Sequence, residues 1–179
     1  MCSVIEKEFV KHLDYTVIHS RSLEGEPGKR LLARVAHASG CDDTAALKMT
    51  PEYIKSILRP LNMLDKPILF ITDHQRQGKE TLKNLLADKE IGPSIRYDKS
   101  LGGGSSWVGG DITAATLATV FIGNPASTLS GFIAKSRIAL GYDNTYLFRK
   151  RKEKGNDVDW IDTQTPIKIF DRQVMGSHS

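Results

Sequence analysis

The sequence predicts an α/β domain built on an open, mostly parallel sheet with helices on both faces. Two stretches, "KPILFITD" and "TVFIGN", are unbroken apolar runs bounded by polar or turn residues, the pattern of strands buried on both faces. Amphipathic segments of helical period alternate with such runs along the whole chain, as consecutive βα units require. Gly, Pro and small polar residues punctuate the joints. Together these features define the Rossmann-like arrangement.

The elements follow in order. Glu6, Phe9, Val10 and Leu13 recur at helical spacing and predict a first helix over 3–13. "YTVIHSR" is a β-branched run ending in polar residues, a strand over 15–21, and "SLEGEPGK" reads as a loop. "KRLLARVAHAS" reads as a helix stopped by Gly40. Thr50-Pro51 opens another helix, "PEYIKSILRPLNML", with Pro at its first position and a bend or end near Pro60. The strand "KPILFITD" is followed by an amphipathic helix, "GKETLKNLLADK", and a short strand around "SIRY". "DKSLGGGSSWVGGD" reads as a glycine-rich loop, "DITAATLATV" as a small-residue helix that can pack closely on a sheet, and "TVFIGN" as the next strand. A helix over 126–139 and late strands in "NTYLFRK" and "TPIKIF" complete a single domain over 1–170, with 171–179 as a flexible tail.

The composition fits that reading. A chain of 179 residues, 40% of them hydrophobic, suffices for one self-supporting core. No apolar run reaches the roughly 18 residues of a membrane span, and the N-terminal stretch is amphipathic rather than signal-like. Cys2 and Cys41 are the only cysteines and lack metal-ligand spacing, so their redox state stays open. The net charge of +4 is compatible with anionic ligands. "RKRKEK", Arg149 to Lys154, reads as a solvated loop or helix end rather than a nucleic-acid surface, because no aromatic residues interleave with it.

In an open parallel sheet, ligands sit outside the carboxyl ends of the strands. That rule selects His19-Ser20-Arg21, Thr72-Asp73-His74, the glycine loop with Asp111, and Asn124 to Ser130. The hydroxyls of Ser127, Thr128 and Ser130 stand where a strand hands over to a helix, a place where unpaired N–H groups and a positive dipole end receive phosphates. Ser127 or Thr128 equally suits a plain N-cap. Arg21 can grip a phosphate with a planar, permanently charged fork, or simply face solvent. His19 shares a strand face with Arg21 and reads either as a core histidine or as part of a joint polar site. Asp73 and Asp111 suit base or ribose contacts, or helix caps. The glycine loop lacks Gly-Lys-Ser/Thr and is no P-loop, and no hydrolase triad or metal motif is present.

The ordered set "YTVIHSR", "LFITD" and "DITAATLATVFIGNPASTLSGFIAKSR" resembles the GDP-fucose protein O-fucosyltransferase family over residues 14 to 140. The family's nucleotide-binding half carries a His-x-Arg strand, a strand ending in Thr-Asp, then Asp, "FIGN", a Ser-Ser/Thr pair and a basic helix, here with Lys135 and Arg137. The resemblance implies inverting fucose transfer from GDP-fucose to a protein or glycan acceptor, without a metal or other cofactor. Arg21 would be the catalytic residue, contacting the β-phosphate and the leaving oxygen. Asp73, Asn124, Ser127, Thr128 and Leu129 would belong to the donor site, with the last three at the phosphates, and His19 and Asp111 would help hold the ribose and guanine side.

Family members act in the secretory pathway. They have two domains, and the Gly-Arg-Phe-Gly-Asn-like motif of their N-terminal half does not occur here. Leu129 replaces the usual Phe, and Thr119 replaces an Asp expected to read the base. Three functions remain open from the sequence: the donor-binding portion of a transferase, a stand-alone nucleotide-sugar binder without turnover, or an α/β domain whose polar loop residues are only caps.

Overall fold

The computed structural model describes residues 14–38, 49–97, 108–124, 126–147, 150–151 and 160–161. Five parallel strands form one sheet: β1 Thr16–Ser20, β2 Ile68–Thr72, β3 Ile95–Arg96, β4 Val120–Gly123 and β5 Thr145–Leu147. Their order across the sheet is β3-β2-β1-β4-β5, the doubly wound arrangement with the first strand at its centre. A separate antiparallel pair joins β6, Lys150–Arg151, to β7, Trp160–Ile161. Lys150–Arg151 of the basic run is therefore strand rather than loop or helix end, and the rest of the run lies outside the described residues.

Alternation along the strands divides the core into two layers. Ile18, Phe70, Val120 and Ile122 face α2, Pro51–Leu58, and α3, Arg76–Ala87, with Leu32 of α1, Gly25–Ala38, packed against that layer. Val17, Leu69, Ile71 and Phe121 face α4, Val108–Leu117, and α5, Thr128–Ala139. Helices thus cover both faces, as the continuous apolar strands require.

Several helix bounds differ from the sequence expectation, each for a local reason. α1 begins at Gly25, inside the stretch read as a loop, because Pro27 falls in the first turn, where a missing N–H costs nothing. α2 begins at the expected Pro51, capped by Thr50 Oγ1, which accepts from Tyr53 N–H at 3.2 Å, and it ends at Leu58, before Pro60. α3 begins and ends two residues earlier than read, with Asp88 Oδ1 accepting from the N–H groups of Glu90 and Ile91 just beyond it. α4 begins at Val108, inside the predicted glycine loop, and stops at Leu117 rather than reaching β4. Its last carbonyls turn instead to a guanidinium from α5. The expected helix over 3–13, most of the glycine loop and the strand "TPIKIF" lie outside the described residues.

That guanidinium is Arg137, which is fully buried. Its Nη1 donates to the carbonyls of Ala115 at 3.1 Å, Thr116 at 2.9 Å and Ala118 at 2.5 Å. Nε donates to Thr145 Oγ1 at 2.8 Å, and Nη2 to the carbonyls of Asn144 at 3.2 Å and Thr119 at 3.5 Å. The cation therefore caps the negative end of α4 and ties it to β5. Tyr142 covers it, its ring centroid 4.9 Å from Cζ. Burial lowers the Arg137 pKa to about 10, partly opposed by Tyr142 and Tyr15, so it remains charged at neutral pH. The resemblance counts this residue in a basic helix beside the donor site; the structure shows it holding the fold together.

Candidate functional site

The carboxyl ends of β1 and β4 meet at the point where the strand order reverses, the crevice in which doubly wound sheets bind ligands. The neighbouring gap, between β1 and β2, is closed by the chain itself. Ser22 N–H donates to Asp73 Oδ2 at 3.1 Å and Leu23 N–H to Gln77 Oε1 at 3.1 Å. In the other direction Gln77 N–H donates to Glu24 Oε1 at 2.8 Å and Gly78 N–H to Ser22 Oγ at 2.9 Å. These four bonds latch the β1–α1 loop onto the start of α3 and satisfy N–H groups that would otherwise attract an anion. Gly78 permits the closeness: a Cβ there would collide with the Thr72 side chain.

The start of α5 is built differently. Ser127 is its N-cap and accepts from Ser130 N–H at 3.4 Å, so the helix opens at Thr128, two residues later than read. The N–H groups of Thr128 and Leu129 make no hydrogen bond among the described residues. Thr128 is exposed, whereas Ser127 is buried and Leu129 packs its side chain against the core. Asn124 folds the approach into an Asx turn: its Oδ1 accepts from Ala126 N–H at 2.9 Å, while its Nδ2 donates to the Arg21 carbonyl at 3.3 Å. The second bond stitches the end of β4 to the residue just past β1.

Arg21 is exposed there, and its guanidinium makes no hydrogen bond or ion pair among the described residues. His19, by contrast, is 4% exposed, paired across the sheet with Gly123 and Ile71, and its Nδ1 lies 2.7 Å from Ser130 Oγ. Burial drives its pKa down to about 4, with Asp73 opposing and Arg21 reinforcing the shift. The linkage has a definite sign. Stability is complete above about pH 6.5, where His19 is neutral in both states, and declines as pH falls toward 4, because the unfolded chain takes up a proton that the folded chain refuses. We expect thermal unfolding at pH 7 and pH 4.5 to differ less for His19→Asn than for the unmodified chain. Equal pH dependence in the two would contradict this account.

The remaining candidates separate. Asp73 is half-buried and committed to the backbone, accepting from Ser22 N–H and, at 3.3 Å, from Gln75 N–H. Asp111 is 1% exposed in the first turn of α4, where a carboxylate complements the helix dipole. Thr119 precedes β4 at the amino edge of the sheet, its Oγ1 donating to Asp14 Oδ1 at 3.2 Å. That places it about a strand length, roughly 13 Å, from the crevice, so an Asp at this position could not read a base held there. Lys135 lies exposed on α5.

Two features had no assigned role in the sequence reading. Ser130 is fully buried, and its oxygen also accepts from Asn124 N–H at 3.0 Å, which joins it to His19. Its place among the hydroxyls after "FIGN" was the only sequence signal. His74, just past β2, holds the left-handed backbone at φ 59°, uncommon for a non-glycine residue. Its Nδ1 lies 2.7 Å from Tyr97 Oη.

Fold and rim together define a doubly wound α/β domain with one latched helix start and one open helix start beside an uncommitted arginine. No protein-family model and no curated protein matches the chain. Among the described residues no group of three or more His, Cys, Asp or Glu could hold a metal ion, and no helix is long and apolar enough to cross a membrane.

Proposed function

We propose that the chain is a nucleotide-sugar-binding domain of O-fucosyltransferase-like type, which takes the diphosphate of GDP-fucose at the β1–β4 crevice. One observation carries the reading: exposed Arg21 stands at the crevice whose α5 N–H groups are open, while the α3 start is filled by Glu24 and Ser22. A diphosphate suits those groups, because anions are favoured at a helix start and a guanidinium binds phosphate oxygens with two parallel N–H bonds. Arg21 would also stabilise charge on the β-phosphate oxygen as the fucosyl C–O bond breaks and GDP leaves with the electron pair. Guanine and fucose come from the resemblance, and a protein or glycan hydroxyl is the acceptor that goes with them.

A second reading, a binding module without turnover, is favoured by the state of the rim acids. Glu24 and Asp73 each accept from backbone N–H groups, bonds that favour the ionised carboxylate and make each a weaker base toward an acceptor hydroxyl. Calorimetric titration with GDP, GDP-fucose and UDP, followed by a transfer assay on peptide and glycan acceptors, separates the two. Binding with transfer supports the enzyme, and binding alone supports the module. No binding overturns both. The double variant Ser127→Ala, Thr128→Ala is expected to weaken GDP binding about tenfold by removing the cap and a hydroxyl donor. Unchanged affinity would remove the phosphates from α5.

A further inference from the structure

We propose that Ser130 is a positioning residue that fixes the tautomer of His19, so that the buried imidazole presents Nε2–H as a neutral donor beside the Arg21 crevice. The ligand side of this inference rests on the diphosphate reading; the tautomer does not.

Ser130 Oγ has one proton and two lone pairs. One lone pair is taken by Asn124 N–H at 3.0 Å. The other neighbour, His19 Nδ1 at 2.7 Å, is then the natural acceptor for the hydroxyl proton. An acceptor Nδ1 leaves the ring's proton on Nε2. The opposite tautomer would make Ser130 accept twice and leave its buried hydroxyl proton unplaced, at the cost of an unmade hydrogen bond. No hydrogen bond to Nε2 occurs among the described residues, although His19 is more than nine-tenths buried. Nε2 itself is not among the buried atoms without a partner, so it reaches the surface of the otherwise buried ring and is open to a ligand. At the carboxyl edge of the sheet the acceptor chemistry matching Arg21 and the open α5 N–H groups is a phosphate or other oxyanion.

The same bonds hold the turn. Arg21 carbonyl, Asn124, Ser130 and His19 form a closed loop of contacts, since Arg21 follows His19 by two residues, just past the end of β1. Gly123 lets Ser130 approach: a Cβ at 123 would stand 2.9 Å from Ser130 Cβ and 2.8 Å from the Phe121 ring. Of the charged groups acting on the imidazole, Asp73 favours its protonation and Arg21 opposes it. Burial, the larger effect, keeps the ring neutral at pH 7, and which of its nitrogens then donates is decided by the tautomer, which Ser130 sets.

The test is long-range ¹H–¹⁵N spectroscopy of the His19 ring at pH 7 in the unmodified chain and in Ser130→Ala, with GDP titrations of both. The expected result is an Nε2–H tautomer in the unmodified chain, a mixture of tautomers in Ser130→Ala, and a GDP affinity about tenfold lower in that variant, measured at a temperature where both chains are folded, since the buried hydroxyl also bonds Asn124 N–H. An Nδ1–H tautomer in the unmodified chain, or an unchanged tautomer in the variant, overturns the proposal without reference to any ligand. A shifted tautomer with unchanged GDP affinity removes His19 as a ligand donor. Failure of the unmodified chain to bind GDP defeats the diphosphate reading, while the spectra still decide whether Ser130 sets the ring.

Discussion

Arg21→Ala is expected to lower affinity for GDP and GDP-fucose about a hundredfold, the loss of two charge-assisted hydrogen bonds to a diphosphate. The melting temperature should move by no more than about 2 °C, because the side chain is exposed and makes no hydrogen bond or ion pair among the described residues. The combination is diagnostic. A structural arginine would lose stability and binding together, whereas a ligand-facing one loses binding alone. Calorimetry with GDP beside a thermal scan reads both, and unchanged affinity would detach Arg21 from the site. Arg21→Lys should recover only part of the affinity, since an ammonium offers a point charge where the guanidinium offers a fork.

Arg137→Met is expected to have the opposite profile. Methionine roughly fills the volume but leaves the carbonyls of Ala115, Thr116 and Ala118 buried without their donor. Removing one side of a buried charged network costs about 3 to 5 kcal/mol, and in a chain of this size that corresponds to a fall of roughly 10 °C in melting temperature. Thermal denaturation checks it, and a variant melting within 2 °C of the unmodified chain would contradict the capping role. Arg21 and Arg137 are thus the same residue type in unrelated settings, one exposed at the rim and one sealed in carbonyls.

The sequence showed the strands of the sheet better than it showed how they are joined. "KPILFITD" and "TVFIGN" were legible because a strand buried on both faces has an unbroken apolar run, and α2 because Thr50-Pro51 is an unambiguous start. The order β3-β2-β1-β4-β5 was not legible, since all five strands are short and nothing local distinguishes a partner. α4 was misplaced for a related reason: its end is fixed by Arg137, which reaches it from the following helix. α1 was shortened because Pro27 was taken as loop punctuation when its place in the first turn gives the same residue the opposite meaning.

The site divided in the same way. Strand-end logic located His19, Arg21, Asp73 and Asn124 at one rim, because a parallel sheet gathers its loops at one edge. It could not say that Asp73 would be spent on the Ser22 and Gln75 N–H groups, nor that Ser130 would meet His19 from 111 positions away. Thr119 drew attention as a departure from the resemblance, yet it stands at the opposite edge of the sheet. Distance along the sequence from "FIGN" carried no information about which end of the strand lay at the crevice.

The central place of β1 bears on how the molecule assembles. β1 is the first of the five strands in chain order, and both of its neighbours, β2 and β4, are made after it. A nascent chain that has reached β3 can complete one side of the sheet and the loop latch, yet the other edge of β1 is still bare. An exposed apolar edge in the middle of a future sheet invites pairing with another copy. Docking of β4 ends that hazard, and the same step brings Asn124 to Arg21. The step that closes the sheet at β1 is therefore also the step that assembles the β1–β4 rim.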